Sequence, residues 1–320
     1  MSRAHHLAHA LLPLLLVACA APTREAPLDA LEPDLRAGVD AASSLPRRAT
    51  HRASGVVLRL VPATATEPAF DLAETELTVA SWRRFVDAGG YRSDAERCVP
   101  DDRFTVGAFS AVASGNREGS EEASWQRICP LLGTEALRDD LPALYRSGAD
   151  AEAYAAHYGL RLPTAAEWER AARAGAATRF AWGDDPAGAR AFANLQDRAG
   201  ARRFPDFNVP LACDDGFALV APVASKQPNS LGFFDLVGNV EECCVAEGRS
   251  LDEDEPRNAL TGGSSVSDAE GAAPTHRASL ARHSQRDFLG WQPALSIATL
   301  ASAQPLRAFA PAPRSSWCNG

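Results

Sequence analysis

The segment Asp235-Leu-Val-Gly238-Asn239-Val240-Glu241-Glu242 constrains this chain more than any other. It sets acidic side chains at either end of a short, mostly irregular stretch with a glycine between them. That arrangement offers carboxylate and backbone oxygens to a hard cation. The same residues also describe a turn in which Asp235 caps a helix and Gly238 relieves backbone strain. Under either reading, irregular backbone must be held by something besides regular ladders, and bound ions and disulfides are the usual means. The 23 glycines and 22 prolines, set among few long periodic runs, point to the same loop-rich fold.

A hydrophobic content of 46% over 320 residues is enough for a sizeable core, so the chain is globular rather than disordered. Its net charge is −9 and its 32 basic residues are scattered, which leaves no electrostatic footprint for a nucleic-acid partner.

The chain divides into a signal segment over 1–18, a lipid anchor and flexible tether over 19–55, one folded domain over 56–301 and a tail over 302–320. The apolar run Leu11 to Ala18 is too short to span a bilayer and suits the core of a secretory signal. Leu16-Val17-Ala18-Cys19 resembles a bacterial lipobox, which implies cleavage before Cys19, lipidation of its thiol and an outer-membrane location on the periplasmic or surface face. Residues 20 to 55 lack aromatics and read as a tether, with a short helix around Asp29 to Ala42.

Within the folded part, Val56 to Val61 and Phe70 to Leu77 read as strands. Thr78 caps a helix whose Val79, Trp82, Phe85 and Val86 share one face, and Gly89-Gly90 ends it. Asp150 to Tyr158 forms a second helix with Gly159 as its stop. In Arg161-Leu-Pro-Thr-Ala-Ala-Glu-Trp-Glu169, Thr164 and Glu167 make a capping box, Trp168, Ala171 and Ala172 share a face, and Gly175 supplies the left-handed stop. Cys98 and Cys129 bracket a polar loop that calls for a staple.

Several of these segments, in this order, resemble the formylglycine-generating enzyme or sulfatase-modifying-factor family. They are Glu74-Thr-Glu-Leu-Thr78, the Leu-Pro-Thr helix, Ala181-Trp-Gly183, Ala193-Asn194, Asp215-Gly-Phe217, Pro228-Asn229, Leu231 to Val240 with Glu242, and Gly262-Gly-Ser264. The resemblance covers roughly residues 70 to 295 and implies an α+β, C-type-lectin-like fold poor in regular secondary structure. It also implies structural calcium at two places. Asn194 and Asp215 would give side-chain oxygens with Leu195 and Phe217 giving carbonyls; Asp235 and Glu242 would do the same with Gly238 and Val240. Oxygen-only ligands at irregular spacing suit calcium better than magnesium.

Catalytic members resemble one another just after the Gly-Gly-Ser motif, where two cysteines five residues apart bind Cu(I), a soft ion that favours sulfur. Here the matching residues are Ser267 and Ala272. A serine hydroxyl is a hard donor that stays protonated, and alanine has no donor, so copper is not expected and no catalytic residue is assigned. Adjacent Cys243 and Cys244 point to opposite faces of extended backbone and make a poor chelate. With Cys19 lipidated, the other cysteines are expected in disulfides, Cys98 with Cys129, and Cys213 and Cys318 with Cys243 and Cys244. His276, His283, Asp268 and Glu270 show no chelate spacing and read as solvated. Two departures from the family are Gly290-Trp-Gln292 in place of Gly-Phe-Arg, and Arg146 to Gly148 in place of an aromatic.

The expected function is a non-catalytic binding or scaffold lipoprotein of the envelope, with an unknown envelope protein or peptide as its partner. Its ligand surface is placed at Ser264, Arg277, Arg282 and Trp291, since aromatic and Arg side chains dominate binding hot spots. The alternative is an oxidoreductase of the same family with a rebuilt, metal-dependent site.

Overall fold

The computed structural model describes residues 30–34, 36–94, 96–97, 137–204, 211–246 and 256–297. The expected signal segment, Cys19, Cys98, Cys129, Cys318 and the tail over 302–320 lie outside these residues.

Three helices begin where the capping chemistry places them. Thr78 is extended and its hydroxyl accepts from the Ser81 N–H, which starts α1, Val79–Gly89. Ser147 and Asp150 form a reciprocal box at the head of α2, Gly148–Tyr158, and Thr164 and Glu167 do the same for α3, Ala165–Arg173. Each cap oxygen satisfies an otherwise orphaned N–H and contributes about 1 kcal/mol. Gly90 and Gly159 close α1 and α2 in the left-handed conformation. The left-handed stop of α3 is Ala174, one residue before the expected Gly175.

Two sheets flank these helices. Strands β1 (Leu31–Pro33), β2 (Arg48–His51), β3 (Val57–Val61), β4 (Phe70–Ala73) and β9 (Ala294–Ser296) form an antiparallel sheet in the order β1-β2-β3-β4-β9. Strands β5 (Glu241–Val245), β6 (Arg257–Thr261), β7 (Ala278–Ala281) and β8 (Leu289–Gly290) form the second, in the order β7-β6-β5-β8, with β5 and β8 parallel. The architecture is α+β.

The first sheet corrects the tether expected over 19–55. Among the described residues from Leu31 to Ala42 no helix forms; β1 and β2 pair as a hairpin, which extends β3 with Ala49 opposite Leu58. The pattern is easy to miss because its inward residues are few and one is polar. Ala49 and His51 are buried, and Arg48 ties the hairpin to the sheet through Asp34 and Glu74. Two-residue periodicity carried by Ala and His gives almost no hydrophobic signal.

The core has one large aromatic cluster and two smaller ones. Trp82, Phe85, Tyr154, Tyr158 and Trp291 pack where α1 and α2 meet, with the Trp82 and Trp291 rings edge to face at 5.8 Å. Trp168 of α3 packs on Phe70, Leu72, Phe233 and Leu236. Phe180, Leu195, Val237 and Ala272 form the third. β5 is shared between the first two clusters, because Cys243 faces the first and Cys244 the second. Among the described residues Cys213, Cys243 and Cys244 are free thiols, so the disulfides expected to join Cys213 to this strand are not formed. Cys213 belongs to a different cluster and donates to Asp197, whereas both strand cysteines are engulfed by apolar neighbours. Among the described residues no helix is long and apolar enough to cross a membrane.

Candidate functional site

The acidic segment singled out in the sequence enters β5 through a run of left-handed backbone. Asp235, Gly238 and Asn239 have φ of 58, 81 and 61°. Only glycine fits at 238, because a Cβ there would lie 2.3 Å from the Asn194 carbonyl oxygen. That close approach joins the two sets of expected calcium ligands, which stand far apart in the chain. Asn194 bridges Gly238, and the Asn239 N–H donates to the Asn194 carbonyl at 2.7 Å.

Asn239 is the centre of a buried polar network that sequence reasoning did not assign. Its Oδ1 accepts from Asn194 Nδ2 (2.9 Å) and the Ala221 N–H (2.7 Å), and its Nδ2 donates to Glu76 Oε2 at 2.8 Å. The same Asn194 Nδ2 donates to the Leu219 carbonyl, which fixes the amide and leaves Asn194 Oδ1 without a hydrogen bond. Glu76 was part of a family segment but had no assigned role; the only sequence cue was a carboxylate among inward-facing residues.

Glu76, Asp235 and Glu242 form an acidic cluster that is 1, 5 and 0% exposed. Burial pushes Asp235 up to about 6. It pushes Glu242 well above the usual carboxylate range, with Asp235 adding to the effect, and it does the same to Glu76, aided by Asp235 and Glu242. Asp235 Oδ2 accepts from the Ala224 N–H at 2.6 Å, but neither oxygen of Glu242 makes a well-angled hydrogen bond, though the Gln292 N–H stands near, and only one of Glu76 is bonded. A buried carboxylate with both oxygens orphaned needs a proton or a cation. The orphaned oxygens of Glu242 beside Asp235 therefore suit a hard ion, with the carbonyls of Gly238 and Val240 as the further donors that the family resemblance implies. Among the described residues no group of three or more His, Cys, Asp or Glu side chains is placed to hold a metal ion.

The other expected ligand set differs. Asp215 Oδ1 accepts from the Phe217 N–H at 2.8 Å, and the Lys226 ammonium stands 2.9 Å from Oδ2. Oδ2 has no well-angled hydrogen bond despite that distance, so the contact is an ion pair rather than a directed bond.

The segment after Gly262-Gly-Ser264 keeps a compact geometry with altered chemistry. A Cβ built on Gly263 would lie 2.9 Å from Ala272 Cβ and 3.0 Å from Ser267 Cβ, so both side chains converge on one spot. Ser267 Oγ accepts from the Ser264 N–H at 3.0 Å. Asp268 closes the intervening turn by accepting from the Glu270 and Gly271 N–H groups. At that spot stand a hydroxyl and a methyl, neither of them a soft donor.

The expected ligand surface is not assembled. Trp291 is 1% exposed and locked in the aromatic core. Arg277 pairs with Glu169 of α3 at 2.6 Å, whereas Arg282 pairs with Glu152 of α2 at 2.5 Å, so the two guanidiniums serve different helices. Ser264 is buried beside Ser267. His283 is not merely solvated: its Nδ1 lies 2.8 Å from Asp94 Oδ2, which also accepts from Ser147 Oγ at 2.6 Å. The bond to Asp94 raises the imidazole above its ordinary range. His276 is exposed. The aromatic missing near 148 is offset by Arg146, buried with its guanidinium 4.9 Å from the Trp82 ring, and burial pushes it down to about 10. Burial also raises both strand thiols, keeping Cys243 and Cys244 protonated on opposite faces of β5.

Comparison with known proteins bears on this geometry. Residues 48–296 match the family described as Sulfatase-modifying factor enzyme 1-like domain. The formylglycine-generating enzyme of Streptomyces coelicolor is 38% identical over 185 residues, 55% of this chain and 57% of that protein. The bovine (Bos taurus) inactive C-alpha-formylglycine-generating enzyme 2 is 35% identical over 162 residues, 49% of each chain. The chain thus spans about half the length of these curated relatives. Among solved structures, PvdO from Pseudomonas aeruginosa aligns with a TM-score of 0.51 at 19% identity, covering 71% of this chain and 80% of that one, a likeness of fold.

Proposed function

Because this chain belongs to the sulfatase-modifying-factor family, we propose that it is a non-catalytic member, a calcium-stapled scaffold or binding lipoprotein of the cell envelope. One observation carries this reading. The two side chains that converge beside Gly263 are Ser267 and Ala272, where the resemblance to catalytic members calls for two thiolates. A protonated hydroxyl and a methyl cannot hold Cu(I), and the buried thiols of Cys243 and Cys244 cannot replace them, since they face apart. A relative named as inactive, matched across 49% of its length, accords with loss of chemistry on a retained fold.

In this reading the buried carboxylates Asp235 and Glu242, with the carbonyls of Gly238 and Val240, hold the calcium that keeps the irregular 235–242 segment in place. The ion supplies positive charge to Glu242, whose oxygens make no well-angled hydrogen bond, and to Asp235, which accepts only from the Ala224 N–H. The lipobox-like Leu16-Val-Ala-Cys19 motivates an outer-membrane anchor, and the partner is an envelope protein or peptide.

Purified protein incubated with a cysteine-containing sulfatase peptide, Cu(I) and oxygen is expected to yield no aldehyde by mass spectrometry. Formylglycine in that assay would return the chain to the oxidase reading. Independently, labelled palmitate is expected to enter the wild-type chain in bacteria and not a Cys19→Ala variant; equal labelling would remove the anchor.

A further inference from the structure

The Asn194/Asp215 ligand set already contains a cation of its own. We infer that the Lys226 ammonium permanently occupies the charge-balancing role at this set, so that it takes no calcium in the wild-type chain. Lys226 Nζ lies 2.9 Å from Asp215 Oδ2, and the two side chains are only 6 and 2% exposed. Nζ also donates to the Arg190 carbonyl at 3.3 Å and stands 5.3 Å from the ring centroid of Phe217, the residue whose carbonyl a calcium would need.

Charge and geometry both support this assignment. Asp215 is the one anionic residue of its set, and both its oxygens are engaged: Oδ1 by the Phe217 N–H and Oδ2 by the ammonium. Calcium bonds oxygen at about 2.3 to 2.6 Å. An ion at that distance from Oδ2 would sit against a buried ammonium with little water to screen the repulsion. A buried lysine in turn depends on a carboxylate, because an unpaired ammonium is strongly disfavoured away from water. Asp215 and Lys226 therefore satisfy one another. The contrast with Glu242 is direct, since neither of its oxygens has a partner.

The set keeps a latent vacancy for a divalent ion once the lysine is removed. Asn194 Oδ1 has no hydrogen bond, and its amide is held in one orientation by the bonds from Nδ2 to Leu219 and Asn239. Without the ammonium, Asp215 Oδ2 and Asn194 Oδ1 would both be buried oxygens needing a cation.

The test counts calcium in chains stripped with EGTA and re-equilibrated with calcium chloride, using elemental analysis alongside thermal unfolding. Lys226→Met, which keeps the apolar stem and removes the charge, is expected to bind one more calcium per chain than wild type, and its Tm should rise more on adding calcium. Lys226→Arg should bind no extra ion. If a folded Lys226→Met chain binds no more calcium than wild type, the inference fails. Should Lys226→Met not fold, Asp215→Asn in the wild-type background decides: calcium content is expected to stay unchanged, and a fall would overturn the assignment. Because Lys226 also acts on Asp235, the count is repeated in a Glu242→Gln background: the extra calcium of Lys226→Met is expected to persist there, and its disappearance would overturn the assignment, whereas Glu242→Gln alone tests the calcium reading at Asp235 and Glu242 by lowering wild-type content.

Discussion

If Asp235 and Glu242 hold calcium as proposed, stripping it at neutral pH is expected to destabilise this protein by about 3 kcal/mol, and the loss should shrink as the pH is lowered toward 5. The reason is the acidic cluster of Glu76, Asp235 and Glu242. Without an ion, these groups must be protonated to stay buried. Burial raises Asp235 from 3.8 to about 6 and raises the two glutamates well above their ordinary range. The folded, ion-free chain therefore binds protons that the unfolded chain has released. Its stability is complete below the unfolded carboxylate range near 4 and falls as pH rises through 6 and beyond. Each pKa unit corresponds to about 1.4 kcal/mol, so Asp235 alone accounts for about 3 kcal/mol. In the proposed calcium-bound form the ion would replace those protons, and that form is expected to show no such decline. Urea unfolding at pH 5 and pH 7.5, with calcium or with EGTA, reads the effect; superimposable curves at both pH values would remove calcium from the site.

A Ser267→Cys, Ala272→Cys double variant is expected to bind Cu(I) stoichiometrically, where the wild-type chain is expected to bind none. Both Cβ atoms lie within 3.0 Å of the point where a Gly263 side chain would begin, and the absence of that side chain leaves room between them. Two thiolates there would give Cu(I) the soft donors that a hydroxyl and a methyl withhold. Competition against a colourimetric Cu(I) chelator measures the change, with each single variant binding far more weakly than the pair. Equal copper uptake by wild type and double variant would show that the thiols at this spot are not what the chain lacks. It would also count against Ser267 and Ala272 as the basis of the proposed loss of oxidase chemistry.

How much was legible beforehand depended on how local the determining chemistry is. The capping residues Thr78 and Thr164 act on N–H groups three residues away, and Trp168, Ala171 and Ala172 lie on one helix face, so α1 and α3 were readable within a residue or so. The opposed faces of Cys243 and Cys244 followed from strand alternation alone. The β1–β2 hairpin was missed because Ala49 and His51 carry its inward face, where hydrophobic contrast is weakest. Residue type suggests a binding surface at Trp291, but it signals affinity only when the side chain is exposed, and exposure is a property of the packed chain.

What the sequence by itself determined is therefore the local frame and the inventory of donors: the caps, the helix faces, the oxygen-rich segment from Asp235 to Glu242, and the absence of thiols at 267 and 272. Only the tertiary structure decided which distant group answers each buried charge. Glu76 reaches Asn239 across 163 positions, Asn194 is brought against Gly238, and Lys226 meets Asp215 while Glu242 is left without a partner. Periodicity and residue type specify a backbone and the side it buries. Whether a buried oxygen ends up facing an amide, an ammonium or a vacant position depends on long-range closure of the chain, which leaves no trace in local pattern.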